Sequence, residues 1–153
     1  MRTHEQVRLE RSACEVDEGI AVLIEWFHAS QVETLASCQG GPYDGWWEGE
    51  NKWFAPGVAQ SYVQFASLSD TERAFTLLVD LADKHERPDL IRRIAARPWL
   101  WRATNTASDW DWIVMPLAET NGAWPECGRI VVVGTVHFDV SDLELVSNLI
   151  TTR

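Results

Sequence analysis

The sequence predicts an α+β domain, a mainly antiparallel sheet with helices packed on one face. Three observations predict it. The length, 153 residues, suits one domain rather than two. The apolar share of 46% and charged share of 24% are those of a chain that buries a core, which excludes wholesale disorder and collagen-like or coiled-coil arrays. Finally, strand-like and helix-like periodicities interleave in the order β-α-β-β-α-α-β-β-β-α, with too few helices to cover both faces of a doubly wound sheet. No internal repeat, low-complexity tract or linker divides the chain, so residues 1–153 read as one domain.

Each element follows from its residues. In Glu5–Glu10, Val7 and Leu9 alternate with Arg8 and Glu10, a half-exposed strand. Asp17 stands as an N-cap before Ile20, Leu23, Ile24 and Phe27, whose spacing predicts a helix to Ala29. Residues 32–38, rich in β-branched and small side chains, predict a short strand. After the Gly-rich stretch described below, Gln60–Ser67 alternates as a strand. Ser69 and Glu72 form a capping box for a helix with an apolar stripe of Phe75, Leu78, Val79 and Ala82. Pro88 opens a second helix that stops before Pro98.

Trp99–Thr104 reads as a strand, and Asp109–Leu117 as a clearer one with Trp110, Trp112 and Val114 on one face and Asp109 and Asp111 on the other. Arg129–Phe138 is almost entirely β-formers and predicts a central strand, with His137 on the face of Val131, Val133 and Thr135. Ser141 and Glu144 repeat the capping box. Leu145, Val146, Leu149 and Ile150 give the last helix its core face.

Thirteen Lys and Arg against 23 Asp and Glu leave a net charge of -10. The basic residues are scattered, the tightest group being Arg87, Arg92, Arg93 and Arg97, so a nucleic-acid partner is not expected. Acids are spread singly rather than in the dense rows of a DNA mimic. Cys14, Cys38 and Cys127 form neither C-x-x-C pairs nor an even disulfide set, and no bound metal is expected from their spacing. The polar N-terminus and the lack of a long apolar run predict a cytoplasmic protein without a membrane partner.

The most informative stretch is 40–57, GGPYDGWWEGENKWFAPG, with five Gly, two Pro and five aromatics. So long a loop is uncommon in a compact domain unless functional, and aromatics need a surface to pack on. It is either a lid over the core or a display of Tyr43, Trp46, Trp47 and Trp53 to a ligand or partner. The nine Trp of the chain exceed ordinary usage. Trp26, Trp99, Trp101, Trp110 and Trp112 lie in periodic patterns and read as core, and an exposed Trp surface would make a homodimer unsurprising. Before the loop, Ser37-Cys38-Gln39-Gly40 ends a strand. Cys38 there could be a nucleophile if His28 or His137 reached it, a ligand-facing residue, or part of a turn whose backbone donors meet an anion, and the plainer reading is a small buried residue closing the turn. Asp109 and Asp111 could share a cation, though solvated carboxylates are the plainer reading. No G-x-G-x-x-G, Walker A, H-E-x-x-H or G-x-S-x-G motif occurs.

Residues 16–40, with an acidic helix start, an apolar helix and a Thr-x-x-Ser-Cys-x-Gly strand end, resemble the opening of the wybutosine-synthesis tRNA methyltransferase family. The strand and capped helix of residues 63–84 keep the same rhythm. The resemblance implies a shared α+β scaffold, a site turn at Ser37, Cys38 and Gly40, and S-adenosylmethionine as a cofactor. It departs where the family carries Arg after the turn, since Gly41 stands there. Two functions therefore follow. The first is a non-enzymatic binding or regulatory domain, needing no cofactor, that uses the aromatic loop against a protein or small molecule. The second is a small enzyme with its site at the Ser37–Gly41 turn, using S-adenosylmethionine.

Overall fold

The computed structural model describes residues 5–9, 15–40, 47–48, 51–52, 60–96, 109–119 and 129–152, with the backbone alone at 47–48, 51–52, 117–119 and 129–131. The strands are β1 (Gln6–Arg8), β2 (Glu15–Asp17), β3 (Thr34–Cys38), β4 (Trp47–Glu48), β5 (Asn51–Lys52), β6 (Ser61–Phe65), β7 (Asp111–Glu119) and β8 (Arg129–Phe138). The helices are α1 (Ala21–Ala29), α2 (Leu68–Lys84), α3 (Pro88–Ile94) and α4 (Val140–Thr151), with a 3-10 turn at Glu18–Ile20. Four strands make one antiparallel sheet in the order β3-β6-β8-β7, while β1-β2 and β4-β5 form separate two-stranded pairs. This is the α+β architecture the periodicities predict, and β8 is central as expected. Trp99–Thr104, Cys14 and Cys127 lie outside the described residues.

One side of the sheet carries the core. Val63, Phe65, Val136 and Phe138 point from β6 and β8 toward Leu23, Ile24 and Phe27 of α1, Ala74 and Leu78 of α2, Leu90 and Ile94 of α3, and Val146 of α4. Gly134 makes the close approach possible: a Cβ there would lie 2.3 Å from Thr71 Oγ1, so the first turn of α2 rests directly on the β8 backbone. The opposite face is not simply solvated, since Val133 and Thr135, which alternate with Gly134 and Val136, are buried.

Several starts differ from the sequence reading, each for a physical reason. Helix α2 is capped by Ser67, whose Oγ accepts the Asp70 N–H at 3.0 Å and donates to the Asp70 carboxylate at 2.6 Å. The Asp70 carboxylate takes the Ser67 hydroxyl and the Glu33 N–H, at 3.1 Å, rather than the N-cap N–H that a capping-box Glu accepts, so the helix is capped at Ser67 and not by a box at Ser69–Glu72. In the same way Asp139, not Ser141, caps α4, its Oδ1 accepting the Ser141 N–H at 2.8 Å. Asp17 precedes the 3-10 turn in extended conformation but does not cap it with its side chain. The inward stripe of α2 is Thr71, Ala74, Leu78 and Ala82, which leaves Phe75 on the flank, partly exposed. Trp110 precedes β7 rather than belonging to it. Within 40–57 the chain is not all loop, because Trp47–Glu48 pairs antiparallel with Asn51–Lys52.

Candidate functional site

The Ser37–Gly40 turn is held by three groups that converge on Gln39. The buried Asp17 carboxylate accepts the Gln39 N–H at 3.0 Å and also the Gln6 side-chain amide. Gln39 Oε1 accepts the Gly19 N–H at 2.7 Å, and the Gln39 carbonyl accepts Ser61 Oγ–H at 2.6 Å. The Gly40 N–H points at Cys38 Sγ, 3.5 Å away. The backbone donors that the sequence offers to an anion are therefore already directed at a carboxylate and a sulfur of the chain itself. Cys38 is buried at 3% exposure.

Strand register brings Cys38 into a row that crosses the sheet. Cys38 stands opposite Tyr62, Tyr62 opposite His137, and His137 opposite Asp111. All four therefore project from the face turned away from the helices. The Tyr62 and His137 rings are 5.7 Å apart between centroids. His137 shares a face with Cys38 as a catalytic pair would require, but the β6 strand stands between them. Two strand spacings amount to about 10 Å, beyond a direct thiol–imidazole bond. His28 lies on the helix side instead, its Nε2 hydrogen-bonded with Thr34 Oγ1 at 3.0 Å. Among the described residues no cluster of His, Cys, Asp and Glu could hold a metal ion.

His137 is not the satisfied core histidine that its apolar strand suggests, since its buried Nδ1 has no hydrogen-bond partner among the described residues. Burial pushes the imidazole below the ordinary histidine range, and the facing Asp111 carboxylate pulls it partly back. A folded-state pKa below the unfolded one makes His137 support folding while neutral. That support is present above the unfolded value of about 6.5 and is lost as pH falls through the folded value. The variant His137→Gln should therefore lose less stability than the parent between about pH 7 and pH 5, read from urea midpoints. Parallel pH profiles for the two proteins would contradict this.

A second locus lies on the helix side, where α2, the end of α3 and β7 leave an open groove of about 500 Å³ lined by Leu68, Thr71, Glu72, Phe75, Thr76, Ala95, Ala96, Trp112 and Val114. Trp112 is fixed there by its indole N–H, which donates to the Ile94 carbonyl at 2.9 Å, and Phe75 packs edge-on against it at 5.4 Å. Among the described residues Glu72 is the one charged member of the lining. Residue periodicity assigns Phe75 and Trp112 to the core. In the structure Phe75 stands at the flank of the inward stripe of α2, packed on Trp112 over the last strand of the described sheet rather than under another described element.

Of the residues picked from the sequence, Ser37, Cys38 and Gly40 share the strand-end turn. Trp47 lies in the β4–β5 pair, while Tyr43, Trp46 and Trp53 lie outside the described residues. Two members of the predicted basic group are paired, while Arg97 lies outside the described residues. Arg87 binds Asp89 through two nitrogens, at 3.0 and 2.8 Å, and Arg93 binds Asp142 at 2.9 and 2.7 Å. No described helix is long and apolar enough to cross a membrane. The chain matches no family model, no curated protein and no solved structure.

Proposed function

We propose that this chain is a non-enzymatic cytoplasmic binding domain that takes a protein segment or a small molecule on an aromatic surface. One observation carries the reading, the open apolar groove walled by Phe75 and Trp112, whose volume lies in the range of ligand sites and which has, among the described residues, a single carboxylate at its lining. Trp112 offers a large rigid face held by its own hydrogen bond, the kind of anchor on which interfaces depend. Tyr43, Trp46, Trp47 and Trp53 belong to the reading as a second aromatic stretch that the sequence offers to a partner. Nucleic acid is a poor fit for a chain of charge -10 whose Arg87 and Arg93 are committed to Asp89 and Asp142.

The test is an amide-detected NMR titration with indole, a neutral aromatic probe. Shifts should concentrate on the Trp112 indole N–H, Phe75 and Val114, and should largely vanish in the variant Val114→Lys. Val114 is exposed, so this change leaves the core untouched. Shifts scattered over the surface, or unchanged by the substitution, would refute the groove as the binding surface.

A further inference from the structure

The groove does not end at α2. Val114 pairs with Gly134 and Pro116 with Val132, so all four share the helix-side face of the sheet. Gly134 is covered by the first turn of α2. Beyond it the β7–β8 pair runs on with Val114 at 56% and Val132 at 44% exposure, continuous with Leu68 and Phe75 at the groove. Among the described residues β7 pairs with β8 alone and is the last strand of the described sheet, with the groove beside it. An edge strand with an adjacent apolar groove is the arrangement that accepts an added strand: main-chain bonds supply affinity, and pockets for alternate side chains supply selectivity. Pro116, with no amide hydrogen to donate, confines such a ladder to the Asp111–Met115 part of β7.

Charge selects the occupant. The chain carries -10, and among the described residues the groove lining holds Glu72 and no cation. A second copy would bring the same sign and the same Glu72 to the contact, whereas a basic segment would be drawn in and paired. We infer that β7 receives an extended peptide of a partner protein, with apolar side chains alternating into the groove and lysine or arginine on the intervening positions. This rests on the groove being the binding surface and names what it binds.

The probe is a capped peptide, Val-Lys-Val-Lys-Val, titrated against the whole chain by NMR, with Val-Glu-Val-Glu-Val and Ser-Lys-Ser-Lys-Ser as controls. The expected result is saturable shifts at the amides of residues 111–115 and at the Trp112 indole, with each control and the Val114→Lys variant at least about tenfold weaker. High salt should weaken the Val-Lys peptide severalfold.

Absence of shifts at about 5 mM peptide overturns the inference. So does equal binding of the Val-Glu peptide, or shifts of the same amides with protein concentration alone, which would make a second copy the occupant. If indole enters the groove and the Val-Lys peptide does not, the peptide inference falls while the binding-domain reading stands. If neither enters, both fall.

Discussion

Replacing Asp142 with alanine should destabilise the protein by about 3 kcal/mol or more, the cost of breaking a buried, hydrogen-bonded ion pair from one side. The carboxylate is only 4% exposed and accepts three hydrogen bonds, two from Arg93 and one, at 2.9 Å, from the Trp110 indole N–H. Arg93 belongs to α3, Trp110 leads into β7 and Asp142 stands in the first turn of α4. One side chain thus ties three elements that meet nowhere in the local sequence. Its removal leaves the buried Trp110 N–H without an acceptor and the Arg93 guanidinium facing a void, with Asp89 at 3.5 Å as the remaining carboxylate. The Trp110 ring, stacked on Phe138 at 4.2 Å, would lose the bond that sets its orientation.

The pair can be told from mere packing by replacing both charges. Asp142→Leu with Arg93→Met should cost less than Asp142→Ala alone, because no uncompensated charge is left behind. Urea unfolding followed by Trp fluorescence gives both values, provided the slope with denaturant is unchanged. A cost below about 1 kcal/mol for Asp142→Ala would mean that water replaces the carboxylate and that the tie is not structural.

How much of this was legible depends on the range of the interaction concerned. The β8 limits follow from a local run of β-formers, and α3 begins at Pro88 because proline loses nothing in a first turn. The beginning of β7 was blurred because Trp110 obeys the strand alternation yet is held by Asp142, a partner 32 positions away. Helix caps were displaced because several Ser, Thr and Asp residues lie within one turn and only geometry decides which of them accepts an N–H.

The row Cys38–Tyr62–His137–Asp111 was invisible for a stronger reason. Nothing in the local sequence around any one member points to the other three, and only the register of four strands places them side by side. The groove was hidden by the opposite effect. Phe75 and Trp112 satisfy the periodic pattern of core residues, and only the placement of α2 over the sheet leaves Phe75 at the flank of the packed face.

Gly40 separates a structural glycine from a functional one, and Gly40→Ala should cost about 3 kcal/mol or more from two independent sources. Its φ of +64° lies in the left-handed region, which costs a residue with a Cβ about 1–2 kcal/mol. A Cβ would also lie 2.6 Å from the carbonyl carbon of Gln60 and from the N of Ser61, backbone atoms at the entry to β6 that cannot swing aside. Overpacking of this kind adds about 1–3 kcal/mol.

Two substitutions resolve the sources. Gly40→Asn eases the dihedral, since asparagine tolerates the left-handed region, but keeps the clash, so it should recover only part of the loss. Gly19→Ala meets the flexible end of the Gln39 side chain rather than backbone, and should cost clearly less than Gly40→Ala. If Gly40→Ala lies within about 1 kcal/mol of the parent, the turn yields more readily than its hydrogen bonds to Asp17 and Ser61 imply. If Gly40→Asn restores full stability, the dihedral alone fixed the residue. The expected order, Gly40→Ala worst and Gly19→Ala mildest, makes Gly40 a requirement of β3 meeting β6, which accounts for a glycine after Ser37 and Cys38 without any ligand at the turn.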